Sequence, residues 1–381
     1  LAGKQSLSVD DDAQRDAAMK LIARADIVIL SSDDGLAEGS LWDAPRPSEQ
    51  IVCDITAFGH TGPLAGRGGA EPIVAAPAGI VDTTGPADQP PMIVGAPVLE
   101  MSAAVFAAAA ILAALRVRRL HHCGQRIDVA IFDTAVNELV NFLPLYFENK
   151  PASRSGNRHP LHVPWGSYRA RDGYILICAS GTEHFTRVCQ AIDRPEIATQ
   201  ERYATSAARL AHYREIDALI EAWTRERTVA ESEAVLLKLG VACGPITTFE
   251  RLQDDRNIAH RGRIATVADP ASGRSVPVAV SPLRSRLAGT RQLCVPARDS
   301  GRGDVNALLR ARAAETIPTS LGDTPIGVKP LDGLRVVEIG QHTVAPLAGR
   351  HLGALGADVI KVEPPVGDAI RAASPLRSDG Q

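Results

Sequence analysis

Apolar positions along the chain alternate between short strand-like runs and longer helical ones. "AAMKLIARADIVIL" (17–30) predicts the end of a helix followed by a buried strand. "EQIVCDITAFGHTGP" (49–63) predicts a second strand that runs into a Gly/Pro turn. "SAAVFAAAAILAAL" (102–115) is the longest apolar run, followed at once by the basic "RVRR". That run is too short to span a membrane and predicts a buried core helix at a tight packing or subunit surface. "GQRIDVAIFDTAVNELVNFLPLYF" (124–147) continues with a strand and a helix, and strands alternating with helices predict an open, mostly parallel sheet. Turn residues cluster at 150–165. Beyond them "GSYRARDGYILICAS" predicts a hairpin turning at Arg171–Gly173, followed by the amphipathic patterns "EHFTRVCQAI", "YREIDALIEAWTRE" and "VAESEAVLLKLG". Residues 296–329 are rich in Gly, Pro, Ser, Thr and Arg and predict a linker. Then "GLRVVEIGQHTVAPLAGRHLGALGADVIKVEPP" (333–365) predicts strand, tight turn, helix and strand.

The expected fold class is therefore α/β. It comprises a Rossmann-like large domain over 1–150, lacking a first βαβ at its N-terminus, and a smaller α+β domain over 165–295. A 296–329 linker leads to a βαβ over 330–381.

Composition fits an ordinary soluble globular protein: 381 residues, 45% hydrophobic and 22% charged. A net charge of −3 supplies no basic field for nucleic acid or an anionic membrane, so neither is expected as a partner. The six cysteines (Cys53, Cys123, Cys178, Cys189, Cys243, Cys294) form no CxxC pair, which favours a reducing, cytoplasmic setting over a disulfide framework or zinc knuckle. "LAGKQSLSVD" has neither an initiator Met nor a leader pattern and reads as a cut end.

Few residues advertise chemistry by themselves. The turn "GQHTVAP" has no GxGxxG, yet a helix N-terminus there presents N–H groups to an anion. Glu100, ahead of the apolar helix, is either a favourable first-turn charge or a nucleophilic carboxylate. His60 sits in a turn after a strand. His121, His122 and Cys123 lie at a helix-to-strand connection without a third or fourth ligand at suitable spacing, so no metal site is expected. "GVACGPI" (240–246) reads as a loop-entry turn, with no nearby His to activate its Cys.

Taken in order, several of these pieces resemble the family III coenzyme A transferases, the family of formyl-CoA transferase, carnitine-CoA transferase and α-methylacyl-CoA racemase. "PLDGLRVVEIGQHTVAPLAGRHLGALGADVIKVEPPVGDAIR" (330–371) resembles the family's opening. "LAGKQSLSVD", "ITAFGHTGPLAGRGG", "ILAALRVRRLHHCGQRIDVAIFD", "SGNRHPLHVPWGSYRARDGY" and "GVACGPITTFERLQDD" resemble later segments. The resemblance covers nearly all the chain except the linker. It implies transfer of CoA between an acyl-CoA and a carboxylic acid, through an anhydride and a thioester on an active-site carboxylate. It implies acyl-CoA as substrate, no permanently bound cofactor, no metal, and an interlocked homodimer or an internal pair of repeats.

Carried over residue by residue, the family's catalytic Asp falls on Glu100, one methylene longer. Gln341, His342, Thr343 and Val344 occupy the turn that contacts CoA. Arg371 fills the basic position after "GD", and Arg15 is a further candidate cation for CoA. Asp33 and Asp34 stand where a basic group is expected. The racemase's catalytic His falls on Ala70, which argues against racemisation. A catalytically inactive repeat that supports an active one, or a lyase or dehydratase on a CoA-linked substrate, are the alternatives.

Two layouts account for the order of the pieces: a window of a tandem fusion, or a permuted domain. Either way, the C-terminal βαβ is expected to join the sheet of the N-terminal part, with Val336 near the strand at 26–30.

Overall fold

A computed structural model describes residues 4–31, 42, 46–140, 142–148, 154–269, 272–283, 296–303, 306–307, 328–365, 367–368 and 371. Asp33, Asp34 and Cys294 lie outside the described residues, as does most of the expected linker. In chain order the elements begin with α1 (Asp12–Ile22), β1 (Ile27–Ser31), β2 (Ile51–Thr56), α2 (Glu71–Ala75), α3 (Val98–His121), β3 (Arg126–Ala130), α4 (Ile131–Glu138) and α5 (Leu143–Phe147). Then come β4 (Trp165–Arg169), β5 (Tyr174–Cys178), α6 (Gly181–Ala191), α7 (Ser206–Ala211), α8 (Tyr213–Arg225), α9 (Val229–Lys238) and β6 (Ala242–Pro245). Last are α10 (Arg256–Arg261), β7 (Ile264–Asp269), β8 (Arg274–Ala279), β9 (Arg335–Ile339), α11 (Val344–Ala354) and β10 (Asp358–Val362). The fold is mixed α/β with a parallel sheet.

The chain divides into two compact units. One gathers residues 1–68, 100–131 and 249–363; the other gathers 69–99, 132–248 and 364–381.

In the first unit β1, β2 and β3 form a parallel sheet with β2 central. Side chains alternate across a strand, so each face has its own packing. Cys53 meets Ala107 and Ile111 of α3, with Ile27, Ile55, Leu115, Ile127 and Val129 around them. On the opposite face, Val28, Leu30 and Val52 pack with Met19, Ile22, Ala25 and Trp42. Asp11 caps α1 by accepting from Gln14 N–H at 2.7 Å.

α3 has 24 residues and outruns the apolar stretch at both ends. By length and composition it could cross a membrane, contrary to the expectation from the run alone, and part of it is buried against the sheet. Val98, Met101, Val105 and Leu112 are exposed along it. Its last turn and the connection just past it are stitched to the strand starts: Arg118 Nη1 donates to Asp26 Oδ1 at 3.1 Å, and Gly124 N–H donates to the Ser48 carbonyl at 2.6 Å.

β9 and β10 pair in parallel with each other, Arg335 opposite Asp358 through Ile339 opposite Val362. The expected continuation of the ladder to β1 is not made: the two sheets are separate among the described strands. Side chains of α3 hold the βαβ instead. Arg116 Nη2 donates to the Asp332 carbonyl at 3.3 Å, and Phe106 meets His351 edge to face at 5.0 Å. Val337, Ile339, Ile360 and Val362, which share one face of this pair, are exposed.

In the second unit β4, β5 and β6 form an antiparallel sheet. "GVACGPI" is thus an edge strand, not a turn. Ile175, Ile177, Phe185, Val188, Ile220, Leu236 and Val241 are almost wholly buried together, each contributing about 1.5–3 kcal/mol. Thr228 and Glu231 form a reciprocal cap at the start of α9.

Candidate active site

Glu100 lies exposed in the first turn of α3. The stitches at the other end of that helix, Arg118 to Asp26 and Gly124 to Ser48, lie at the starts of β1 and β2. α3 therefore runs antiparallel to the strands and brings Glu100 to the carboxyl edge of the sheet. Open α/β sheets bind their ligands at that edge, and a helix N-terminus favours negative charge.

The loop after β2 is at the same edge. Gly59, at φ +89°, donates its N–H to Thr56 Oγ1 at 2.8 Å. His60 N–H donates to Asp128 Oδ2 at 2.9 Å, and His60 Nε2–H donates to Asp54 Oδ2 at 2.8 Å. The His60 ring stacks on Trp42 at 4.1 Å and 6°. Asp54 is buried, and its Oδ1 has no hydrogen-bond partner among the described residues. Asp54 and Asp128 are register partners on the strand face opposite Cys53 and α3. A plain turn histidine in the sequence is thus the donor to a buried carboxylate. Burial, with Asp54 and Asp128 nearby, pushes the Cys53 thiol up to about 11, which leaves it protonated and inert at neutral pH.

The turn between β9 and α11 carries Gln341, His342, Thr343 and Val344, all exposed. His342 takes a left-handed φ of +65°. No side chain caps α11 at Thr343. The first N–H groups of a helix lack intrahelical partners, so this turn presents donors outward. Arg15 is exposed on α1 of the same unit, whereas Arg371 is exposed in the other unit. Ala70 precedes α2 as its N-cap.

In the second unit His159, His162 and Trp165 stack with ring centroids 4.7–5.6 Å apart. Burial, helped by His162 and Arg158, lowers His159 to about 4. Its Nδ1 accepts from Leu161 N–H at 3.1 Å, as a neutral ring can. Among the described residues, no group of three or more His, Cys, Asp or Glu side chains is placed to hold a metal ion. Cys53, Cys123, Cys178, Cys189 and Cys243 are free.

An α/β sheet with an exposed carboxylate and an uncapped helix N-terminus suits acyl transfer from a phosphate-bearing thioester. Comparison with known proteins gives the class. The family model for CoA-transferase family III matches residues 2–298 and 331–381. The chain is 32% identical to succinyl-CoA–D-citramalate CoA-transferase of Chloroflexus aurantiacus, over 71% of this chain and 69% of that protein. It is also 32% identical to succinate–glutarate CoA-transferase of Agrobacterium fabrum, over 68% and 67%. A CAIB/BAIF family protein from Brucella suis superposes with a TM-score of 0.67 at 29% identity, covering 81% of this chain and 82% of that one. The chain belongs to CoA-transferase family III. It is an enzyme of the transferase class that moves coenzyme A between an acyl-CoA and a carboxylic acid.

Proposed function

We propose that Glu100 is the carboxylate that carries the transfer. Its oxygen attacks the carbonyl carbon of the donor acyl-CoA, forming a mixed anhydride and expelling the CoA thiolate. The thiolate then attacks the Glu100 carboxyl carbon, giving a glutamyl-CoA thioester and releasing the donor acid. The acceptor carboxylate attacks that thioester, forming a new anhydride and freeing the thiolate again. The thiolate finally attacks the acceptor's acyl carbon, which yields the new acyl-CoA and restores Glu100. The observation that carries this reading is the exposed placement of Glu100 in the first turn of α3, at the carboxyl edge of the sheet.

Gln341, His342, Thr343 and Val344, with Arg15 and Arg371, are read as the CoA-binding residues. The open helix N-terminus at Val344 supports this. The names of the relatives, succinyl-CoA–D-citramalate and succinate–glutarate CoA-transferase, favour short dicarboxylic acids as donor and acceptor. CoA and its acyl ester are substrates, and no permanent cofactor is assigned. Residues 1–150 are read as the Rossmann-like domain, 165–295 as the smaller one, 296–329 as a linker and 330–381 as the βαβ. The exposed Val98, Met101, Val105 and Leu112 support pairing with a second copy or repeat. The packing of α3 on β2 supports a core helix, and a cytoplasmic setting is read from cysteines that form no CxxC pair.

The test is incubation with succinyl-CoA, hydroxylamine trapping and peptide mass spectrometry. A hydroxamate at Glu100 is expected. An unmodified Glu100 in an enzyme that is turning over sinks the assignment.

A further inference from the structure

Beneath the turn at 340–343 lies an ion pair with one buried and one half-buried partner, which the transfer chemistry does not use. Lys361 and Glu338 are register partners on β10 and β9. Lys361 Nζ donates to Glu338 Oε1 at 2.6 Å and to the Gly340 carbonyl at 3.0 Å. The Glu338 side chain is 8% exposed. Gly349, the buried glycine of α11, makes room for it: a Cβ there would collide with Glu338 Oε2. A chain of contacts thus runs from the helix, through carboxylate and ammonium, to the first carbonyl of the turn.

The direction of that carbonyl matters. In a trans peptide the C=O and the following N–H point opposite ways. Anchoring the Gly340 carbonyl on Lys361 turns the Gln341 N–H away from the ion pair. That N–H has no hydrogen-bond partner among the described residues. Without the anchor this peptide is free to flip, which would set a carbonyl oxygen where the helix N-terminus otherwise presents donors to an anion.

We propose that Lys361 is a positioning residue for coenzyme A: with Glu338 and Gly349, it locks the Gly340–Gln341 peptide in the orientation that binds the cofactor-like substrate. Its charge is engaged by Glu338, so it acts through the turn and not as a direct phosphate cation. The proposal rests on the assignment of 341–344 to CoA, and the test separates the two.

Hydrogen exchange and the dissociation constant for coenzyme A are measured on the full chain. In the unaltered protein, CoA slows exchange at Gln341–Val344. Lys361→Met raises the dissociation constant about tenfold and speeds exchange in that turn without CoA, leaving the second unit unchanged. Lys361→Arg, which can still donate to both acceptors, recovers part of the affinity. Gly349→Ala, which pushes on Glu338 with Lys361 intact, gives the same local loosening and covers the case of a Lys361→Met chain that does not fold. If CoA protects the turn in the unaltered protein but neither the Lys361 variants nor Gly349→Ala move affinity or local exchange, the lock is wrong and the CoA site stands. If CoA never protects the turn, the CoA site itself is wrong, and the lock falls with it.

Discussion

His60 Nε2 donates to the buried Asp54 carboxylate at 2.8 Å, although the two residues belong to a loop and to the middle of a strand. Removing the imidazole leaves a buried carboxylate without its donor. His60→Ala is expected to lower unfolding free energy by about 2 kcal/mol. The double variant His60→Ala/Asp54→Ala should lose less than the sum of the two single losses. Urea denaturation measures both, and additive losses would mean that the pair is not coupled.

On the assignment proposed above, Glu100 bears on activity instead of stability. Glu100→Gln keeps the shape and removes the nucleophile, so turnover should fall about a thousandfold or more with an unchanged urea midpoint. Glu100→Asp withdraws the carboxylate by one methylene. A misplacement of about 1 Å costs about a hundredfold in rate, so that variant should also be slow. Steady-state assays with succinyl-CoA give the numbers, and near-normal turnover of Glu100→Gln would exclude the residue as nucleophile.

His159 predicts a pH effect. Its pKa lies at about 4, below the ordinary value near 6.5, because burial disfavours the charged ring. Between those values the unfolded chain binds more protons than the folded one, so stability rises with pH. The contribution is fully present above about 6.5 and is lost as pH falls towards 4. The full difference corresponds to about 3 kcal/mol, and solvent screening of this half-buried ring reduces it to on the order of 2 kcal/mol. His159→Gln should flatten that part of the stability profile, and an unaltered acid limb would contradict the placement of the ring.

Gly124 allows no side chain, because a Cβ would run into the Gln50 backbone. Gly124→Ala is expected to cost about 3 kcal/mol or more by forcing the α3–β3 connection off β2. Thermal unfolding of the variant, compared with Gly303→Ala, where a Cβ meets nothing within 4 Å among the described residues, checks the claim.

The βαβ at 333–365 was legible because strand, turn, helix and strand each carry a local signature, and the structure places β9, α11 and β10 there. The hairpin of β4 and β5 was legible for the same reason, with Gly173 at its turn. β6 was not: its sequence, Ala242–Pro245, contains Gly and Pro and only an edge position tolerates it. The extent of α3 was also hidden. Hydrophobicity marks what is buried, and helical backbone continues through the exposed Arg119 and Leu120 to His121. The role of His60 could not be read at all. It depends on the loop folding back over Asp54 and onto Trp42, which no local pattern announces. Glu100 stood out only through resemblance to a family, since a first-turn acid is ordinary in any helix.

α3 is a lever whose fulcrum lies far from the proposed nucleophile. It is clamped at Arg118 and just past its end at Gly124, while Glu100 rides the opposite tip. At about 1.5 Å per residue, a tilt of about 5° at the Arg118 clamp swings the tip by about 2 Å. Such a swing exceeds the tolerance of a nucleophile. The direction of Glu100 therefore depends on the packing of Ala107 and Ile111 against β2 together with the Arg118 and Gly124 contacts at the far edge of the sheet.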